Sequence, residues 1–132
     1  MVNYNIFVKE NPLKGLWDST KELFNRFDLK VDSEKHGRKL SEEFYEFLNA
    51  ERFLEFHEGL LSNVPEAEST MIDLRLDMTQ EFVDMVVVGM VLLQRHGVIY
   101  NNLESAFEYV IDKNDAKDGY THEVKDGLIV RK

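Results

Sequence analysis

Glu81-Phe82-Val83-Asp84-Met85-Val86-Val87-Val88-Gly89-Met90-Val91-Leu92-Leu93 is the stretch whose reading decides the fold. Wound as a helix at about 100° per residue, its apolar side chains leave the axis in every direction. A helix apolar all round is a buried one. Glu81 and Asp84 stand inside that apolar surface, three residues apart and about 60° apart around the axis, so both carboxylates leave the same face. Burying two like charges costs several kcal/mol unless a cation faces them. The stretch therefore requires a partner: an Arg, a Lys or a metal ion.

Reading outward, the chain before it carries two further helical patterns. After Asn11-Pro12, the residues Leu13, Leu16, Trp17, Thr20, Leu23, Phe24 and Phe27 keep the three- and four-residue spacing to about Asp28. Leu29 to Lys35 is a polar connection in which Asp32 or Ser33 caps the next helix. That second helix is predicted from about Lys35 to Glu58, with Leu40, Phe44, Phe47 and Leu48 as its core stripe and Glu43 on the stripe's border. Trp17 and Tyr45 are assigned to the core.

Leu61 to Thr70 reads as a loop, and the third helix starts with Ser69 or Thr70 as its N-cap. Arg95 and His96 followed by Gly97 have the composition of its C-terminus. A fourth helix runs from Asn101 or Asn102 to about Lys117. In the tail, Asp126-Gly127 between Val124 and Leu128-Ile129-Val130 is a hairpin signal. Residues 3 to 8 alternate weakly, as a short extended arm would. The expectation is a single all-α domain over residues 1–132, a bundle of four to five helices with core 13–117 and a short irregular or hairpin tail, 118–132.

Composition narrows the function. A net charge of -9 argues against recognition of nucleic acid through a basic face. With no cysteine, thiol nucleophiles and cysteine-ligated zinc are excluded as well. The first ten residues lack a basic start followed by a long apolar run, and the apolar run after Asp84 falls short of the ~20 residues that span a bilayer. The expected setting is cytoplasmic, without membrane or nucleic-acid partners.

A second acidic pair, Glu43 and Glu46, repeats the spacing of Glu81 and Asp84 on the second helix. If the two helices pack antiparallel, four carboxylates converge. Oxygen donors without His or Cys suit a hard cation, Mg²⁺ or Mn²⁺, and such a cation neutralises a phosphate ester and orients a nucleophile. The competing reading is an ion-pair network to Arg38, Lys39 or Arg75, since a Glu-Glu-x-x-Glu run is commonly a solvated helix face. Lys113 and Lys117 at the end of the fourth helix are either dipole-complementing cations or, with Asn114, contacts to phosphate or nucleotide. The four histidines have no zinc-like spacing, Ser41 and Ser105 lack an elbow glycine context, and there is no glycine-rich phosphate loop.

Lys39-Leu40-Ser41-Glu42-Glu43-Phe44-Tyr45-Glu46, followed by Glu81-Phe82-Val83-Asp84, resembles the Glu-Glu-x-x-Glu and Glu-x-x-Asp signature of the MazG-like, all-α nucleoside triphosphate pyrophosphohydrolases. Lys113-Asn114-Asp115-Ala116-Lys117-Asp118-Gly119, with Asp126-Gly127, is similar to the Asn-x-x-Lys and Asp-Gly pattern of the phosphoribosyl-ATP-pyrophosphohydrolase-like members. The spacer from Phe47 to Gln80 is longer than in compact members, and Gly127-Leu128 stands where Gly-Lys is usual. The resemblance implies a homodimer or homotetramer of helical bundles that cleaves a nucleoside triphosphate between the α and β phosphates with Mg²⁺, or with Mn²⁺. It implies Glu43, Glu46, Glu81 and Asp84 as metal ligands and Glu42 and Glu43 as catalytic groups, Glu42 orienting or activating water. Lys39, Lys113, Asn114 and Lys117 would contact the substrate. Part of Val86, Val87, Met90 and Val91 is expected to face another subunit, because a four-helix monomer cannot cover a helix on all sides. Two other readings stand beside it: a non-catalytic helical oligomer that engages a basic partner through its acidic surface, and a nucleotide sensor that hydrolyses slowly.

Overall fold

The computed structural model describes residues 11–27, 30, 32–61 and 67–132. The arm anticipated over residues 3 to 8 lies outside these, as do Asp28, Leu29 and residues 62–66 of the anticipated loop. The chain divides into two compact units, one ending at Gly97 and the other comprising Val98–Lys132.

In the first unit, α1 spans Pro12–Phe27, α2 Ser33–Leu61 and α3 Ala67–Arg95. Pro12 occupies the opening position of α1, where its missing N–H costs nothing, and Asn11 Oδ1 accepts the Lys14 N–H at 3.1 Å. Asp32 is the cap of α2: its Oδ1 accepts from the Glu34 and Lys35 amides at 3.0 and 3.1 Å. Helix α2 extends beyond Lys35 and Glu58 at both ends, and α3 is already helical at Ala67, so neither Ser69 nor Thr70 is its N-cap. Gly97, at φ 78°, ends α3 as the sequence indicates, since only a left-handed residue turns the chain out of the helix there.

Helices α2 and α3 run antiparallel. Phe53 and Leu74 line one groove between them, the Phe47 and Phe82 rings meet at 5.7 Å, and Leu40 lies with Met85 and Val86 beyond. As the one helix is followed backwards the other advances. Helix α1 packs along α3, where Gln94 Nε2 donates to the Trp17 carbonyl at 3.1 Å. Trp17, Leu54, Met71 and Met90 form the buried apolar set.

Helix α3 is not buried all round, which corrects the expectation drawn from its composition. Phe82, Val83 and Asp84 are exposed, as are Phe44 and Tyr45 of α2, Tyr45 at 64%. The reason is that within the first unit α3 packs against α1 and α2, and two neighbours cover only part of a helix's circumference. No described helix is long and apolar enough to cross a membrane.

The second unit begins with α4, Tyr100–Asp115, within two residues of the predicted bounds. Asn102 Oδ1 accepts the Ile99 N–H at 3.1 Å and closes its first turn. Strands β1, His122–Lys125, and β2, Leu128–Arg131, pair antiparallel with His122 opposite Arg131 and Val124 opposite Ile129. Asp126 and Gly127 both have positive φ, 53° and 77°, as the two central residues of a type I′ hairpin require. Between helix and hairpin, Asp118 Oδ1 accepts from the amides of Tyr120 at 2.9 Å and Thr121 at 3.0 Å.

Two predictions follow from this packing. Trp17→Ala removes the best-buried aromatic among the described residues and is expected to cost about 3–5 kcal/mol in urea unfolding followed by circular dichroism. The Thr121 and Tyr120 amides hold the Asp118 carboxyl below its ordinary value. A carboxyl so depressed contributes stability above the unfolded value that is lost as pH falls through the folded one. Protection of the Tyr120 and Thr121 amides from exchange is expected to drop over that acid window in wild type and to be low at every pH in Asp118→Ala.

Candidate metal centre

Three carboxylates converge where α2 and α3 face each other. Glu43 and Glu46 are one turn apart on α2, and the pairing that brings Phe47 against Phe82 sets Glu81 across from them. One oxygen from each of the three lies within 4.8 Å of the others. Glu43 is buried, at 7% exposure, Glu81 is half-buried and Glu46 is exposed. The site is thus a notch in the helix seam, with its floor at Glu43 and its open side at Glu46.

Compensation for this charge is incomplete. Lys39 Nζ lies 3.0 Å from Glu43 Oε1 and 3.7 Å from Glu42 Oε2, one turn back along α2. Glu43 Oε2 and Glu81 Oε2 are buried and have no hydrogen-bond donor. Such oxygens lose their water without replacement, which ordinarily costs ~1–3 kcal/mol each and more when charged. The negative charge of Glu43, and then a hydrogen bond to it, push the Glu46 carboxyl up from its usual range. That bond exists only while Glu46 carries a proton; with both groups ionised, two acceptors face each other. Lys39 is correspondingly held above its ordinary value, first by its hydrogen bond to Glu43 and then by that residue's charge.

The donor set fits a hard divalent cation. The three oxygens lie within 4.8 Å of one another, near enough for a single cation to draw them together. All ligands are carboxylate oxygens, which suits Mg²⁺, Mn²⁺ or Ca²⁺ over softer ions and leaves the choice among them open.

The remaining anticipated residues are placed as follows. Asp84 lies one turn beyond Glu81 on α3, is exposed, and is not among the three converging groups. Glu42 is exposed and paired with Lys39, so Lys39 bridges the two adjacent glutamates. Lys113, Asn114 and Lys117 belong to the second unit, where Lys117 Nζ donates to Asn114 Oδ1 at 3.0 Å.

Sequence reasoning missed a groove of about 450 Å³ lined by Asn49, Ala50, Phe53, Leu74, Asp77, Gln80 and Glu81. Glu81 belongs to both the groove and the carboxylate cluster. A signal for it existed: Asn49 and Phe53 continue the Glu46 face at helical spacing, and Asp77 precedes Glu81 by four residues. No family model, curated protein or solved structure matches the chain.

A carboxyl raised on folding stabilises below its unfolded value, and that contribution is lost as pH rises through the folded value. Metal-free protein is therefore expected to lose stability between acid and neutral pH, and Glu46→Gln to flatten that slope. At neutral pH, Mg²⁺ or Mn²⁺ at 100 times its Kd is expected to stabilise wild type by about 2.7 kcal/mol, read as a rise in Tm. Glu46→Gln should show a much smaller rise.

Proposed function

We propose that this chain is a divalent-metal-dependent hydrolase of nucleoside triphosphates, cleaving between the α and β phosphates to a monophosphate and pyrophosphate. The observation that carries the reading is the pair of buried, donor-less oxygens, Glu43 Oε2 and Glu81 Oε2, in a cluster that Glu46 completes. A structural ion-pair network would provide a donor for each. The resemblance of the two acidic motifs to the MazG-like pyrophosphohydrolases supports the same reading.

In this mechanism Glu43, Glu46 and Glu81 would hold the metal, Mg²⁺ or Mn²⁺, while Asp84, outside the converging three, is a ligand only on the strength of the resemblance. A metal held there would supply charge withdrawal from the phosphate oxygens and make a nearby water more acidic. Glu42, next to Glu43 and open to solvent, takes the proton of the attacking water. The water oxygen bonds to phosphorus as the bridging P–O bond breaks, and the leaving pyrophosphate carries the electron pair. Lys39 holds Glu42 and Glu43 in place and offsets the charge of the free cluster. Lys113, Asn114 and Lys117 are proposed phosphate contacts on the strength of the resemblance.

The proposal extends to assembly. Leu40, Ser41, Phe44, Met85 and Val86 line an open apolar groove on the first unit, and Phe44 is 46% exposed. A second copy covering this face would bury the surface that α1 and α2 leave open, giving the homodimer or homotetramer implied by the resemblance. In light scattering, wild type is expected to be oligomeric and Phe44→Asp to dissociate; a monomeric wild type would refute the assembly.

Pyrophosphate release from a panel of ribo- and deoxyribonucleoside triphosphates with Mg²⁺ tests the activity. Glu43→Gln, Glu46→Gln and Glu81→Gln are each expected to lower turnover on the order of a hundredfold or more. If wild type turns over no nucleotide, or these variants match it, the reading fails.

A further inference from the structure

Lys39 stands at the edge of the acidic cluster with two carboxylates in reach. It lies three residues before Glu42 and four before Glu43 on α2, the two spacings that bring helix side chains together. Its Nζ is 3.0 Å from Glu43 Oε1 and 3.7 Å from Glu42 Oε2. Among the described residues, Lys39 is the one cationic side chain within 4.0 Å of Glu43, Glu46 or Glu81; neither Arg38 nor Arg75 takes that place.

The two carboxylates offer the ammonium different surroundings. The Glu43 side chain is 9% exposed, and its second oxygen, Oε2, is buried without a donor. Glu42 is 65% exposed, so water solvates it whether or not the ammonium is near. Lys39 is itself 51% exposed, on a flexible four-carbon stem, and can leave Glu43 for Glu42 without being taken out of water. Glu43 is therefore the carboxylate that most needs a cation, and Glu42 the one that can receive a displaced cation at little cost. A divalent ion bound to Glu43 would share that carboxylate with the ammonium, well inside the ~10 Å over which salt screens charges. Two cations so placed oppose each other, and the singly charged one on the flexible stem is the one free to move.

We propose, on the reading that Glu43, Glu46 and Glu81 hold a divalent cation, that Lys39 is a built-in competitor for it: the ammonium occupies the cluster in the free protein and passes from Glu43 to Glu42 when the metal binds. A site built this way stays assembled without metal and binds it more weakly than the bare carboxylates would. A lysine that only propped the carboxylates in position would act with the opposite sign, since its loss would scatter the ligands and weaken metal binding.

Calorimetric titration of the full chain with Mg²⁺, repeated with Mn²⁺, together with the Tm of the metal-free protein, tests this. Lys39→Gln is expected to tighten Mg²⁺ binding about tenfold or more while lowering the metal-free Tm. Lys39→Ala is the second neutral variant, and far-UV circular dichroism shows whether the helices are intact in each. Lys39→Arg, which keeps the charge, is expected to bind no more tightly than wild type. Glu42→Gln removes the second seat and is expected to weaken Mg²⁺ binding by a larger factor in wild type than in Lys39→Gln. Binding by the neutral variants alone, with none by wild type, also supports the competitor. If wild type binds metal and the neutral variants bind it equally or more weakly, the competitor is overturned and the metal centre stands. An equal effect of Glu42→Gln in both backgrounds overturns the passage to Glu42. If neither wild type nor the neutral variants bind Mg²⁺ or Mn²⁺ at millimolar concentration, the metal centre itself is overturned, and the competitor with it.

Discussion

The structure of the first unit turns on a carboxylate placed where an apolar side chain would ordinarily go. Glu43 sits in the seam between α2 and α3, with one oxygen on Lys39 and the other without a donor. Glu46 and Glu81 stand beside it with the same sign of charge. Three carboxylates this close repel one another, and Lys39, itself half-exposed, offsets only part of that repulsion. Stability is given up at this point in the seam. The stored repulsion is what a divalent cation would relieve, so the same geometry that weakens the free protein would strengthen metal binding.

What tolerates that cost is the rest of the helix pair. Helices α2 and α3 are each 29 residues long, and their contact extends from Leu40 against Met85 and Val86 to Phe53 against Leu74. Apolar contacts on both sides of the cluster, including the Phe47–Phe82 ring pair, hold the register that keeps Glu81 opposite Glu43. Helix α1 anchors the far part of α3 through Trp17 and Gln94. Apolar surface is left open on α2 and α3, at Phe44, Phe82 and Val83. The second unit is organised differently: its hairpin is set by local turn chemistry, and basic side chains of its helix and hairpin, Lys113, Lys117, His122 and Arg131, line one open concavity.

Features that depend on a few neighbouring residues were legible in the chain. Asp32 as a cap, Gly97 as a helix terminator, the Asp126-Gly127 hairpin and Trp17 in the core all follow from rules acting within a turn or two. The converging glutamates were legible for the same reason, since spacing alone puts Glu43 and Glu46 on one face of a helix. Exposure was not. Phe44, Phe82 and Asp84 were placed by their angle around an axis, and that angle says nothing about which sector a neighbouring helix covers.

By itself, then, the amino-acid sequence determined the helices, their ends, the turn of the hairpin and the faces on which the carboxylates stand, because each is fixed by interactions between residues close along the chain. Only the tertiary structure decided that Glu43 is buried while Asp84 is open, that Glu81 is the residue of α3 that meets α2's acidic pair, and that Arg131 and His122 share a cavity with Lys113 and Lys117. Those outcomes depend on helix register and on which surfaces are covered. Both are settled by contacts between residues far apart in the chain, which periodicity along one element does not encode.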